Sequence, residues 1–141
     1  MAIRLVLADD HAQFRAYLAD LLNKQPGLSV VAQAEDGRAL LRALQTCAAH
    51  VAIVDVEMRG MGGVQAVPLA LAGHPALRVL ALSMHDDAAF VSAMVAAGAH
   101  GYVLKSDPLP QLVQAIRSVA AGRPGFSASV RAPMRSGGSA E

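Results

Sequence analysis

Five short apolar runs recur along this chain at nearly constant spacing: Ile3–Ala8, Leu28–Ala34, Val51–Val56, Leu77–Ser83 and Gly101–Leu104. They begin at residues 3, 28, 51, 77 and 101, so successive starts lie 25, 23, 26 and 24 residues apart. Each gap has room for one helix. Parallel strands need such crossovers, and strands covered on both faces read as unbroken apolar runs. Strand and helix in alternation predict an α/β fold with a parallel sheet. With right-handed crossovers, the expected arrangement is five strands in the order 2-1-3-4-5, helices on both faces, a flavodoxin-like doubly wound sheet.

The gaps carry helical signals. Phe14, Leu18, Leu21 and Leu22 form one apolar stripe, and Pro26-Gly27 ends it. Leu40, Leu41, Leu44 and Cys47 form a second, with Asp36 as its N-cap. Phe90, Val91, Met94 and Val95 follow Asp86 and Asp87, one of which is expected as a cap. Leu109, Leu112, Val113, Ile116 and Val119 form the last stripe, closed by Gly122 and Pro124. The third gap is less regular. Pro68 falls inside Val64–Ala72, and an internal proline costs about 3 kcal/mol. That helix is expected to be kinked, short, or to start near Pro68.

Composition narrows the field. Hydrophobic residues make up 54% of the 141 residues and charged residues 16%, enough for one substantial core. A net charge of +1 gives no electrostatic footprint for nucleic acid, and 4% aromatics without Trp offers no stacking platform. No apolar run approaches the roughly 20 residues of a membrane span. The N-terminus lacks the basic start of a signal peptide, so no membrane role and a cytoplasmic location are expected. Cys47 is the single cysteine, which excludes an internal disulfide. Residues 1–122 are read as one domain. Residues 123–141 are rich in Arg, Pro, Ser and Gly and are read as a linker-like or disordered tail.

Polar residues gather where the strands end. Asp9-Asp10 follow the first, Asp55-Val56-Glu57 close the third, Ser83 the fourth, and Lys105-Ser106 follow the fifth. Ligands of open parallel sheets bind beyond these carboxyl ends. Strands one and three would be neighbours about 4.8 Å apart, which crowds Asp9, Asp10 and Asp55. Two carboxylates about 4 Å apart repel by roughly 4 kcal/mol at an effective dielectric of about 20. A divalent cation relieves this, and hard oxygen ligands with open positions suit Mg²⁺. Lys105 and Ser83 would complete an oxyanion site. Asp55 follows a wholly apolar strand, so its carboxylate is expected to be fixed and partly embedded, as a nucleophile should be.

These residues resemble response-regulator receiver domains over positions 2–122. The matching pieces are Asp9-Asp10, Asp55 with Met58, Met61 and Gly63 after it, Ser83, and Tyr102-Val103-Leu104-Lys105. A finer resemblance, to LuxR/NarL-type regulators, rests on Ala8-Asp9-Asp10-His11, Phe14-Arg15 and Gly98-Ala99-x-Gly101-Tyr102. The resemblance implies a switch, not an enzyme acting on other substrates. Asp55 would accept phosphate from a sensor histidine kinase. Asp10 would bind Mg²⁺ directly, Asp9 directly or through water, with Asp55 and the Glu57 backbone carbonyl completing the protein ligands. Lys105 would pair with the phosphoryl oxygens, Ser83 would donate to them, and Tyr102 would turn inward behind it. The output would be transcription, through a shifted α4-β5-α5 face, a homodimer, and a DNA-binding helix-turn-helix module that this chain does not contain.

Two departures from the family pattern are Arg59, in place of proline, and Gly62. A looser Arg59–Gly63 loop is expected from its three glycines. Glu57 and His85 flank the site and are read as tuning dephosphorylation. The five histidines show no metal-ligand spacing and are read as non-ligands. The rival readings are a receiver acting only as an interaction module, an aspartate-nucleophile phosphatase and an FMN-binding module. The phosphatase would need a second Asp where Glu57 stands. The FMN module would suffer repulsion between Asp9-Asp10 and the phosphate.

Overall fold

A computed structural model describes residues 2–130. Strands β1 (Ile3–Ala8), β2 (Leu28–Ala34), β3 (Val51–Asp55), β4 (Arg78–Ser83), β5 (Gly101–Leu104) and β6 (Gly125–Phe126) form one sheet in the order β2-β1-β3-β4-β5-β6, all parallel. Helices α1 (Ala12–Asn23), α2 (Gly37–Thr46), α3 (Gly63–Gly73), α4 (Ala88–Ala97) and α5 (Leu109–Ala120) make the crossovers. The doubly wound parallel fold is as the spacing implied. The sixth strand is not: Gly125–Phe126, inside the segment expected as a tail, pairs with β5 and extends the sheet. Residues 131–141 of that expected tail lie outside the described part. No described helix is long and apolar enough to cross a membrane.

The core has two halves, one on each sheet face. Leu5, Leu7, Val51, Ile53, Leu80, Leu82 and Val103 face α1 and α5. Val6, Ala8, Ala52, Val54, Val79, Ala81 and Tyr102 face α2, α3 and α4. The period-two alternation of strands makes this division. Both sets are apolar, which is why each strand reads as a continuous run. The α1–α5 side takes the larger side chains along β1 and β4, and the opposite side the smaller ones.

Local signals explain the helix ends. Asp36 caps α2, its Oδ1 accepting from the Ala39 amide at 2.8 Å. Asp87 occupies the N-cap of α4 without a side-chain cap bond. Gly27 and Gly122 turn the chain with φ of 75° and 85°. The third helix neither starts near Pro68 nor is short: it begins at Gly63 and runs 11 residues, through the proline. Pro68 and Val64 both face solvent. The Val64 carbonyl that loses its helical donor is thus on the wet side, where water can replace it.

Removing the Asp36 cap with Asp36→Ala should cost about 1 kcal/mol, whereas Ile53→Ala at the sheet centre should cost about 2–5 kcal/mol. Urea denaturation of the two variants checks both the sizes and their order.

Candidate functional site

Parallel register brings the polar rim together. Ala8 pairs with Val54, so Asp9 and Asp55 stand one step further along adjacent strands. Asp55 pairs with Leu82 and Ser83 with Leu104. Lys105 then follows directly, its amide donating to the Ser83 carbonyl at 2.8 Å. Four separate strand endings thereby meet in one place.

Lys105 is the centre of the cluster. Its Nζ lies 2.7 Å from Asp9 Oδ2 and 3.0 Å from Asp55 Oδ2. The ammonium also sits 4.9 Å from the centre of the Phe14 ring, a cation–π distance. Asp9 and Asp55 are 1% and 5% exposed, so these charges meet away from bulk water. Burial raises the Asp55 carboxyl above its ordinary value. Lys105 opposes this through its hydrogen bond and charge, and Asp9 adds to the rise. Burial also works against the Lys105 charge, but its hydrogen bonds to Asp9 and Asp55 win and hold it above the ordinary lysine value.

Asp10 stands beside this pair. Its Oδ2 accepts from the Arg59 amide at 3.0 Å, while its Oδ1 is buried without a hydrogen-bond partner. Asp9, Asp10, His11 and Asp55 each offer a ligand atom, all within 4.8 Å of one another. Three carboxylates face one ammonium, so negative charge is in excess. An orphaned oxygen and uncompensated acids fit a hard divalent cation such as Mg²⁺. His11, expected as a non-ligand, has its Nδ1 beside the acids, 3.1 Å from Asp9 Oδ1. The signal was its place directly after two acids at a helix start; the imidazole and the His11 amide both bond Asp9.

The neighbouring loops are pinned. Gly63 donates to the Val56 carbonyl at 2.9 Å, and Met61 accepts from the Gly37 amide at 2.8 Å. A Cβ on Gly63 would overlap the Asp55 carbonyl oxygen, so glycine lets the chain pass close behind the acid. The loop expected to be loose is therefore tied at both ends. The Arg59 side chain is exposed and only 3.8 Å from Asp10 at Nε.

Ser83, Tyr102, Glu57 and His85 form an adjoining group. The His85 amide donates to Ser83 Oγ at 3.0 Å, and the Tyr102 hydroxyl donates to the His85 carbonyl at 2.6 Å. The His85 ring meets Glu57 Oε1 at 2.5 Å and stacks on Phe90, centroids 4.2 Å apart. Tyr102 is fully buried, and burial raises its phenol. The sequence reading did not foresee His85 as the link between Ser83 and Tyr102. A cleft lined by His11, Phe14, Met84, Lys105 and Ser106 opens beside the acids.

The model of the response regulator receiver domain family matches residues 5–117. The response regulator GacA of Pseudomonas protegens is 37% identical over 121 residues, covering 86% of this chain and 57% of that protein. A LuxR-family two-component response regulator from Aurantimonas sp. SI85-9A1 superposes with a TM-score of 0.92 at 32% identity, covering 96% of this chain and 97% of that one. The isolated receiver domain of RcsB from Salmonella enterica serovar Typhimurium, solved in the presence of phosphomimetic BeF₃⁻, gives a TM-score of 0.85 at 26% identity, covering 94% and 99%. The fold and its acidic rim define a signalling domain of two-component systems. This chain belongs to the response regulator receiver domain family, and its relatives bear out the LuxR/NarL-type resemblance. It spans about half the length of the curated relatives it matches.

Because burial holds the Asp55 carboxyl high, its ionised form destabilises the fold at neutral pH. Asp55→Asn should raise Tm at pH 7 without divalent ions. The raised folded value means that protonation favours the folded state. The gap between variant and wild type should therefore close as pH falls through the Asp55 value, where the wild-type group is also neutral. Calorimetry across pH 3.5–7 (about the carboxylate range and above) checks this sign.

Proposed function

We propose that this domain is a phosphorylation switch whose acceptor is Asp55. The observation that carries the reading is the lysine-bridged Asp9–Asp55 pair beside the orphaned Asp10 oxygen. A carboxylate oxygen of Asp55 attacks the phosphorus of a phosphohistidine on a sensor histidine kinase. The new O–P bond forms as the P–N bond breaks, and the imidazole nitrogen leaves with the electron pair and takes up a proton. Lys105 shifts from the carboxylate to the incoming phosphoryl oxygens. Asp10, Asp9 and Asp55 would hold Mg²⁺ with the Glu57 backbone carbonyl. When bound, this ion supplies positive charge for the phosphoryl oxygens. Ser83 turns its hydroxyl to donate to the phosphoryl group, with Tyr102 behind it. Later attack of water on phosphorus returns the carboxylate and releases phosphate, and Glu57 and His85 at the mouth tune that rate. The RcsB receiver solved with a phosphomimetic supports the reading by likeness.

The output is regulation of transcription through a helix-turn-helix module not contained in these residues, accompanied by homodimer formation. An Asp-nucleophile phosphatase is the weaker reading, since Glu57 stands where its second Asp would be.

Acetyl phosphate or phosphoramidate with Mg²⁺ should add one phosphoryl group, and Asp55→Asn should abolish the addition. Lys105→Ala should slow it about 100-fold, the scale for one lost positioned charge. Intact-mass spectrometry reads all three. No mass shift, together with no Mg²⁺-dependent beryllofluoride binding, would leave the domain as an interaction module only. Sedimentation with and without beryllofluoride should show a shift toward dimer; an unchanged distribution would remove dimer formation from the output.

A further inference from the structure

In a five-stranded sheet β5 would be an edge, and Tyr102 would border solvent on one side. Here β6 fills that edge. Tyr102 aligns with Phe126, the Gly125 amide donates to the His100 carbonyl at 3.1 Å, and the Ser127 amide donates to the Tyr102 carbonyl at 3.1 Å. The approach is built for glycine on both sides. A Cβ on Gly101 would overlap the Gly125 carbonyl oxygen, and one on Gly125 would lie 2.7 Å from a Val119 methyl.

The segment is held at further points. Ser118 Oγ donates to the Pro124 carbonyl at 2.6 Å where the segment begins. Ser129 Oγ donates to Asp107 Oδ1 at 2.9 Å, and Asp107 Oδ2 accepts from the Leu104 amide at 2.9 Å. Val130 is fully buried in the same apolar cluster as Tyr102, and Phe126 packs against that cluster. Parallel neighbours in register point to the same face. Phe126 therefore lies beside Tyr102 on the same face of the sheet, and Val130 is buried in the cluster that holds the Tyr102 ring.

We propose that residues 125–130 form a clip that holds Tyr102 inward, so that clip docking and phosphoryl-group binding at Asp55 reinforce one another. The second half of this statement rests on the switch reading above; the first does not. The physical path is continuous: the clip bonds and covers Tyr102, Tyr102 bonds the His85 carbonyl, and the His85 amide bonds Ser83 beside the acceptor. Linkage makes the coupling reciprocal. Whatever factor the clip adds to phosphoryl-analogue affinity, the analogue adds to clip docking. The free β5 edge of the expected α4-β5-α5 face is then not open to a partner. It carries the chain's own strand, and the signal leaves through that strand to whatever follows residue 130.

The test uses the full chain and two variants, Ser127→Pro, which removes the amide bonded to Tyr102, and Val130→Asp, which removes the apolar anchor. Circular dichroism confirms that each is folded. In a Tyr17→Phe background Tyr102 is the sole tyrosine, and both variants should raise its quenching by acrylamide severalfold. Unchanged quenching in both overturns the clip, whether or not the domain is phosphorylated. Beryllofluoride with Mg²⁺ should slow hydrogen exchange at the Gly125 and Ser127 amides of the wild type about tenfold, within the usual range of coupling. Val130→Asp should weaken beryllofluoride binding by the same factor and leave Mg²⁺ binding unchanged. Faster exchange on adding beryllofluoride, or equal affinity in variant and wild type, overturns the reinforcement. Failure of the wild type to bind beryllofluoride overturns the switch reading and the reinforcement with it, while the quenching result still decides the clip.

Discussion

Lys105 places one ammonium 2.7 Å from Asp9 and 3.0 Å from Asp55, and without it β1 and β3 would end in buried like charges side by side. A parallel sheet cannot avoid this crowding once acids follow two neighbouring strands, because register carries both to the same height. The repulsion is of the same order as much of a domain's net stability. The lysine offsets only part of it: even with the exposed Arg59 guanidinium 3.8 Å from Asp10, the three carboxylates outnumber the cations beside them. The shortfall prepares the rim for positive charge. It makes the surroundings of Asp55 favourable to a metal and unfavourable to water-like neutrality.

The layered core supports this arrangement from beneath. β3 is buried along its whole length, so the Asp55 backbone has almost no freedom. Gly63 passes directly behind it, and the loop from Arg59 onward is bonded to Asp10, Val56 and Gly37. Asp55 is thus fixed from several directions. The Ser83–His85–Tyr102 group lies to one side, joined through the His85 backbone, so its geometry depends on the Ser83 and Tyr102 hydroxyls and on the β4–α4 loop rather than on the His85 side chain.

Strand ends carry most of what could be read in advance. Asp9, Asp10, Asp55, Ser83 and Lys105 meet because equal strand spacing delivers them to one rim, and that spacing is visible in the chain. The features that escaped have no periodic signature. Gly125-Phe126 is too short to show alternation, and its pairing depends on two glycines facing each other across strands 24 residues apart in their pairing register. Pro68 suggested a helix that is kinked, short or starts near it, but the carbonyl it leaves free lies on the solvent side, and the helix runs through. Three glycines suggested a loose loop between Arg59 and Gly63, although the amides and carbonyls that tie it come from distant residues. His11 joined the acids because a helix start turned its ring back toward them. The sixth strand and the tied loop both depend on partners distant in the chain, which local composition does not report.

The position of Lys105 along the chain has a consequence for how the molecule is made. Asp55 precedes it by 50 residues and both acids of the first strand precede it by more. A polypeptide emerging from its N-terminus therefore presents every carboxylate of the rim before their shared cation exists. Until β5 arrives, repulsion at the rim works against the apolar pairing of β1 with β3. Assembly of the sheet is thereby tied to its later strands, as expected where non-local contacts dominate.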